Sequence, residues 1–466
     1  MFKKIEIWIL YLTILISIVI AFGFGVLVRQ ETEGVTKAGS IDISFLSQPS
    51  AFFARLPEQL LLAILKPNAQ LANDPWDEQR DFYSQDGFDG VPHTSETYLL
   101  LSRYDGDLQE GVVELIDLTD FQVLHTWNPD IDAFNDLVEK VDEFKFIDRD
   151  SNNERTVLKH PKLTHDGGLL FNYYQPLRKI NSCSNLIFQN TQNIYHHSVE
   201  TDIDGNIWAP SYLQPQSLPI EKVGRNFVHE ENAFLDDAIV KLSFDGKILF
   251  EKSVSQILID NGLEYLLFAV GADIFNPDPI HLNDIQPVDF DGEYWKKGDV
   301  FLSLRHQSMF ILYRPSTNEI IWRGTGPFFF QHDIDILDDH RISIFNNNSK
   351  NLYSGGEIVD GHNEVIIYDF KTNEYSSYLK NSLMQHDVRT ISEGRSQILT
   401  NGDLFLEETN YGRTLYFNAD GSLRWTYVNR SKSGSIYNPG WSRILYTQED
   451  IKTVNNFLTN KGACSE

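Results

Sequence analysis

Cysteine is almost missing from this chain: there are two in 466 residues, Cys183 and Cys464. That excludes a disulfide-stapled framework and a cysteine-built zinc cluster, and leaves room for one bridge in an oxidising compartment. Positive charge is scarce as well. Lys and Arg number 39 against 66 Asp and Glu, a formal net charge of −27. Such a surface repels nucleic acid and anionic headgroups, so any site for an anion has to bring its own local cations. There is no Gly-x-x-x-x-Gly-Lys-Ser/Thr phosphate loop and no Gly-x-Ser-x-Gly elbow. The Asp-Gly pairs at 204–205, 245–246, 291–292 and 420–421 read as hairpin turns rather than calcium loops. Apolar residues make up 41% and aromatics 13%, ample for a sizeable core. The length suits one large repeat domain or two ordinary ones.

Lys3 and Lys4 precede an uncharged run of 22 residues, Ile7 to Val28. A helix of that length crosses about 30 Å of hydrocarbon. No clear small-x-small cleavage site follows, and Arg29 is the one basic residue just beyond, before Glu31 and Glu33. The expectation is an uncleaved anchor over residues 1–29, basic side in the cytoplasm and the bulk of the chain exported to the periplasmic or extracytoplasmic side. A cleaved signal peptide is the alternative. Residues 30–95 read as a stalk with a short helix over Ser50 to Lys66, ended by Pro67.

From Tyr98 the period changes to two, the mark of half-buried strands. Residues 98–102, 111–117 and 122–127 read as a meander, followed by an inserted helix from Ile131 to Phe144. A repeat then begins at His160, His196, His281, Gln331 and Gln385: a histidine, an alternating strand, a polar turn and a second strand. A further insertion, Val254 to Phe268, reads as helix. Four short strands recurring every ~40–55 residues predict a β-propeller. Counting the meander, the fold class is all-β with six blades over 96–446, and Glu449 to Asn460 closes as a helix within 447–466.

The inner strand of each blade lines a propeller's channel, so His160, His197, His281, His332 and His386 are expected to face one axis. His160 and His386 are the best candidates for purely structural members. Neutral imidazoles in a ring can bind a transition metal. Alternatively one imidazole serves as nucleophile while the others, with an arginine, neutralise a charged transferring group. Arg305, ending the strand between His281 and His332, favours the second. A fixed cation is unfavourable beside a metal, but its planar donors match two oxygens of an oxyanion. A non-catalytic binding propeller and a histidine-ligated metalloenzyme both remain open here.

HHSVETDIDGNIWAP, DPIHLNDIQPV, GDVFLSLRHQSMF, EIIWRGTGPFFFQHDIDIL and ISIFNNN, in this order and spacing, resemble the arylsulfate sulfotransferases, or arylsulfotransferases. The resemblance covers roughly residues 95 to 445. It implies a six-bladed propeller that needs no nucleotide cofactor and no metal. It implies sulfuryl transfer from an aryl sulfate donor to a phenolic acceptor through a sulfohistidine. Carried over by motif, His332 is the nucleophile, and His197, His281 and Arg305 hold the sulfuryl oxygens. His196 can stand in for His197, and His306 is a further substrate-binding candidate. Trp208, Tyr173, Phe328 to Phe330 and Tyr411 are candidates for an aromatic channel mouth. The N-terminal sandwich domain by which some members dimerise is not recognisable, so a homodimer stays an open expectation.

Overall fold

The computed structural model describes residues 7–32, 37–38, 41–42, 46–47, 49–50, 53–54, 70–72, 80, 84–224, 233–269, 275–352 and 356–460. The chain divides into two units, Met1–Ala69 and Gln70–Glu466. In the first, Ile7–Thr32 is one helix. Its stretch Ile7–Arg29 has mean hydropathy 2.6, enough by length and composition to cross a membrane or to serve as a signal sequence. The expected helix over Ser50 to Lys66 lies largely outside the described residues.

The second unit is antiparallel β and propeller-like. Four sheets have four or five strands, and one has eight because Leu186–Tyr195 pairs with Ile207–Tyr212 at their ends. Each hydrophobic cluster joins one group of strands to the next along the chain. Leu100, Val113 and Trp127 pack with Leu158, Phe171 and Ile180, and Ile239 and Val254 with Leu282, Val300 and Ile311. Phe301 and Phe310 meet Ile342 and Tyr368, and Phe405 and Trp425 return to Leu99 and Leu101. The packing circuit therefore closes on itself. Hydrogen bonds close it too: Arg443–Leu445 pairs with Tyr98–Asp105, the strand that opens the meander. A ring with its ends paired leaves no long free edge.

Backbone N–H groups of one inner strand are held by side chains of the preceding one. Val199 donates to His160 Nδ1, Ile285 to Ser198 Oγ, Ile334 to Asp284 Oδ2, and Ser396 to Asp333 Oδ2. Trp441 and Ser442 both donate to the Glu407 carboxylate. These bonds fix the register between neighbouring sheets, since a slip would leave a buried donor unpaired at about 1–3 kcal/mol.

Several sequence expectations shift. Part of the expected stalk belongs to the second unit: Gly87–Gly90 adds a fifth strand beside Leu423–Val428, and Arg80 is buried against Glu408. The helix expected over Ile131 to Phe144 is two short helices, Ile131–Asn135 and Ile147–Asp150, joined by turns. That over Val254 to Phe268 breaks at Gly262 into Val254–Asp260 and Tyr265–Phe268. The closing helix, Gln448–Asn460, lies where its amphipathic pattern put it. Cys183 carries a disulfide rather than a free thiol, and the chain's other cysteine, Cys464, lies outside the described residues.

Candidate active site

The chain enters its inner strands through left-handed residues. His160, His197, His281, Glu393 and Trp441 have φ of +46°, +56°, +53°, +57° and +66°. A side chain in that region costs roughly 1–2 kcal/mol, so the surrounding contacts must impose it, as is common where a site is pre-organised. The result is a knot of rings. His197 lies 5.1 Å from His281 and 6.4 Å from His332, centroid to centroid, and Trp441 stands 6.2 Å from both His197 and His332.

His332 is the best-defined member. Asn347 donates its amide N–H groups to the carbonyls of Thr390 and Glu393, at 3.2 and 2.7 Å. Its Oδ1 is thereby turned to His332 Nδ1, 2.6 Å away, and can only accept. The proton of His332 therefore sits on Nδ1, and Nε2 carries the lone pair. That lone pair accepts the backbone N–H of Glu393 at 2.9 Å. Gly394 (φ +81°) permits this approach: a Cβ there would lie 2.9 Å from the Glu407 carbonyl. Burial, reinforced by the charge of Arg305, holds the His332 pKa well below its ordinary value, so the ring stays neutral.

Arg305 ends Val300–Leu304 and starts a short 3₁₀ turn. It donates to His306 Nε2 at 2.9 Å and to Glu357 Oε1 at 2.9 Å, and its guanidinium lies 4.7 Å over the Phe330 ring. Its buried Nε–H has no partner among the described residues. Because arginine only donates, His306 Nε2 accepts, and His306 Nδ1–H donates to the Asp278 carbonyl at 2.6 Å. The Asp278 carboxylate takes the Nδ1–H of His281 at 2.6 Å. Arg305, His306, Asp278 and His281 thus form one connected network.

Asp278, His281 and His306 also bring donor atoms within 4.8 Å of one another, a spacing a metal could use. The hydrogen bonding opposes it. For Nδ1 of His306 to ligate, its proton would have to move to Nε2, directly against the Arg305 N–H. The network suits an oxyanion better than a cation.

His196 is buried beneath His197, with their Nδ1 atoms 2.8 Å apart. Tyr212 stacks on His196 at 4.2 Å. Burial brings His196 down to about 3 and His197 well below the ordinary value, so both rings are neutral. His197, His281, His332, Arg305, His306 and His196 are therefore brought together.

The remaining candidates are not. Trp208 is buried at the far end of Ile207–Tyr212, bonded through Nε1 to Asp202 and covered by Lys241. His386 caps the helix Lys380–Gln385 and packs on Phe417, leaving Glu393 at the start of its inner strand. His160 is structural, accepting from Val199 and lying 3.1 Å from Arg395. Phe328 and Tyr411 are core residues, and Tyr173 bonds Gln70. Of the aromatic candidates, Phe330 reaches the site. Tyr174, which the sequence did not single out, lies 5.8 Å from His197 and is 41% exposed. Also unforeseen were Asn347, Asp278, Glu357, Glu393 and Lys159. Lys159 is 3% exposed, ion-pairs with Glu393, and its charge lowers both His332 and His197.

The fold and site together define a propeller-like protein with a buried histidine–arginine cluster. The chain belongs to the arylsulfotransferase (ASST) family, whose model matches residues 160–430. Membership supports an arylsulfotransferase-like activity, with aryl sulfates and phenols as the general substrate classes. No curated protein matches the chain. Among solved structures, a protein of unknown function from Bacteroides caccae is 12% identical over 74% of this chain and 98% of its own, TM-score 0.44. TolB from Acinetobacter baumannii is 12% identical over 76% and 68%, TM-score 0.40. The WD40 β-propeller domain of Doa1 is 12% identical over 82% and 97%, TM-score 0.37. At such scores the likeness carries no functional weight.

Proposed function

We propose that this protein moves a sulfuryl group from an aryl sulfate to a phenolic acceptor through a sulfohistidine on His332, needing no nucleotide donor. The observation that carries this reading is the single tautomer imposed on His332 by Asn347, which leaves the Nε2 lone pair free of a proton and under the charges of Arg305 and Lys159. Nε2 attacks sulfur, the S–N bond forms, and the S–O bond breaks with its electron pair on the phenolate. The Glu393 N–H, which donates to this lone pair, gives it up to sulfur as the donor binds. Arg305 Nε–H, His281 and His197 face the sulfuryl oxygens, whose charge grows in the transition state. The acceptor phenol then attacks the sulfohistidine and returns the pair to Nε2.

In this reading the propeller has six blades. The eight-stranded sheet counts as two of them, divided between Leu186–Tyr195 and Ile207–Tyr212. The helix Ile7–Thr32 is an uncleaved anchor, and the catalytic unit stands on the extracytoplasmic side. The test is a phenol burst from an aryl sulfate with no acceptor present, as a covalent intermediate requires. Its absence, with a correctly folded protein, overturns the reading.

A further inference from the structure

Glu393 touches two groups at once. Its backbone N–H sits 2.9 Å from His332 Nε2, and its carboxylate is ion-paired with Lys159 Nζ. Glu393 thus links the Lys159 ammonium to the nucleophilic nitrogen, and the Lys159 charge acts on both His332 and His197. The ammonium also lies 5.2 Å from the Trp441 ring, which borders both His332 and His197. In an in-line displacement the leaving oxygen stands one S–O bond beyond sulfur, on the side away from the attacking nitrogen. Arg305 supplies a donor to the sulfuryl oxygens and His281 and His197 face them, but none of the three is assigned to the aryl oxygen. Resting on the sulfuryl-transfer reading, we propose that Lys159 is a further catalytic residue, its ammonium meeting the aryl oxygen of donor and acceptor in turn.

In the first half-reaction the S–O bond breaks, the electron pair goes to the aryl oxygen, and Lys159 Nζ donates a proton to it. The products are a phenol, a neutral amine and sulfo-His332. In the second, the amine takes the proton of the acceptor phenol as its oxygen attacks sulfur, and the S–N pair returns to Nε2. The ledger balances with no other reactant. An alkylammonium can donate to a leaving aryl oxygen and its amine can take a proton back from a phenol, so the proton can pass either way. Glu393 is the counter-ion that keeps the buried ammonium in place between turnovers.

The test is the burst of phenol release from a series of aryl sulfates, from 4-nitrophenyl to unsubstituted phenyl. Lys159→Met is measured in the background of Glu393→Gln, so that no buried charge is stranded, and Lys159→Arg is the second variant. A poor leaving group depends on Lys159 most. In the Met double variant, the burst with phenyl sulfate falls by about 10²- to 10³-fold, as for loss of an oxyanion donor. With 4-nitrophenyl sulfate it falls only a few-fold. Lys159→Arg keeps the charge but cannot pass a proton, and it steepens the leaving-group dependence by an intermediate amount. A loss equal for every donor, or no loss, overturns the assignment, since a structural ion pair would not know the leaving group. If the wild-type protein shows no burst at all, the sulfuryl-transfer reading falls as well; if it does, only the role of Lys159 is at stake.

Discussion

Two levels of the same inner strands carry opposite chemistry. Three of these strands place a carboxylate three residues after the site histidine: His197 and Glu200, His281 and Asp284, His332 and Asp335. Arg395 and Arg443 follow Glu393 and Trp441 by two. The histidine level is organised around Nε2 of His332, and burial keeps His196, His197 and His332 neutral. The acid level is closed upon itself. Arg443 bonds Glu200 at 2.8 Å, Arg395 lies 3.8 Å from Asp333 and 4.0 Å from Asp335, and the carboxylates of Asp284 and Asp333 each hold a neighbouring strand. Burial pushes Asp284, Asp333 and Asp335 up to about 7. Glu200 also feels burial, but the charge of Arg443 overrides it and holds it at about 2. The contrast teaches how a strongly acidic protein can blunt negative charge beside a histidine cluster: these carboxylates are pushed toward their protonated form or paired with arginine.

Substitutions separate the two levels by what they change. The largest effect is on chemistry. His332→Ala abolishes both the phenol burst and steady-state transfer in a protein whose circular dichroism shows it folded, although the orphaned Glu393 N–H lowers its melting temperature. Arg305→Ala comes next, slowing the burst by about 10²- to 10³-fold. Asn347→Leu releases the tautomer of His332, and the burst slows by roughly 10- to 100-fold, a size typical of groups that orient a reactive imidazole. Because the His332 pKa is depressed, protonation does not compete in the mildly acidic range. The burst rate should stay flat from pH 7 to pH 5; a fall centred near 6.5 would place the ring in an ordinary environment.

In the acid level the effect moves to stability. A carboxyl at about 7 when folded and near ~3.9 when unfolded binds more protons in the fold between those values. Its contribution is present below the lower value and is lost as pH rises through the upper one. Asp284→Asn mimics the protonated form. Its melting temperature should therefore gain on wild type as pH goes from 5 to 8, with the burst rate nearly unchanged. A gap that widens in the opposite sense would mean Asp284 is ionised in the fold. The smallest effect concerns Cys183, which should resist thiol labelling in unreduced, denatured protein.

Much of this arrangement was legible in the chain. Period-two strands, hairpin turns and recurring histidines pointed to the propeller, and Arg305 near its histidines pointed to an oxyanion. What escaped depended on three-dimensional register. Lys159 comes from a strand far from His332 in sequence and is joined to it through Glu393, whereas Asn347 follows the hairpin partner of the His332 strand, where its side-chain direction could not be read from spacing. Trp208 looked plausible because it follows the His196–His197 pair. Yet a strand advances about 3.3 Å per residue, which leaves Trp208 ~13 Å from Tyr212, the residue that does stack on His196. His386 resembled a strand opener, but the left-handed Leu379 starts a helix that consumes its segment. The repeat had the right period there and the wrong first residue.

The most direct measurement is peptide mass analysis after wild-type and His332→Ala proteins are exposed to an aryl sulfate without acceptor and quenched at alkaline pH. The account predicts a sulfuryl adduct on the wild-type peptide containing His332, lost when a phenol is added, and no adduct on the variant. Turnover without any adduct on His332, or an adduct on another residue of the variant, would contradict it.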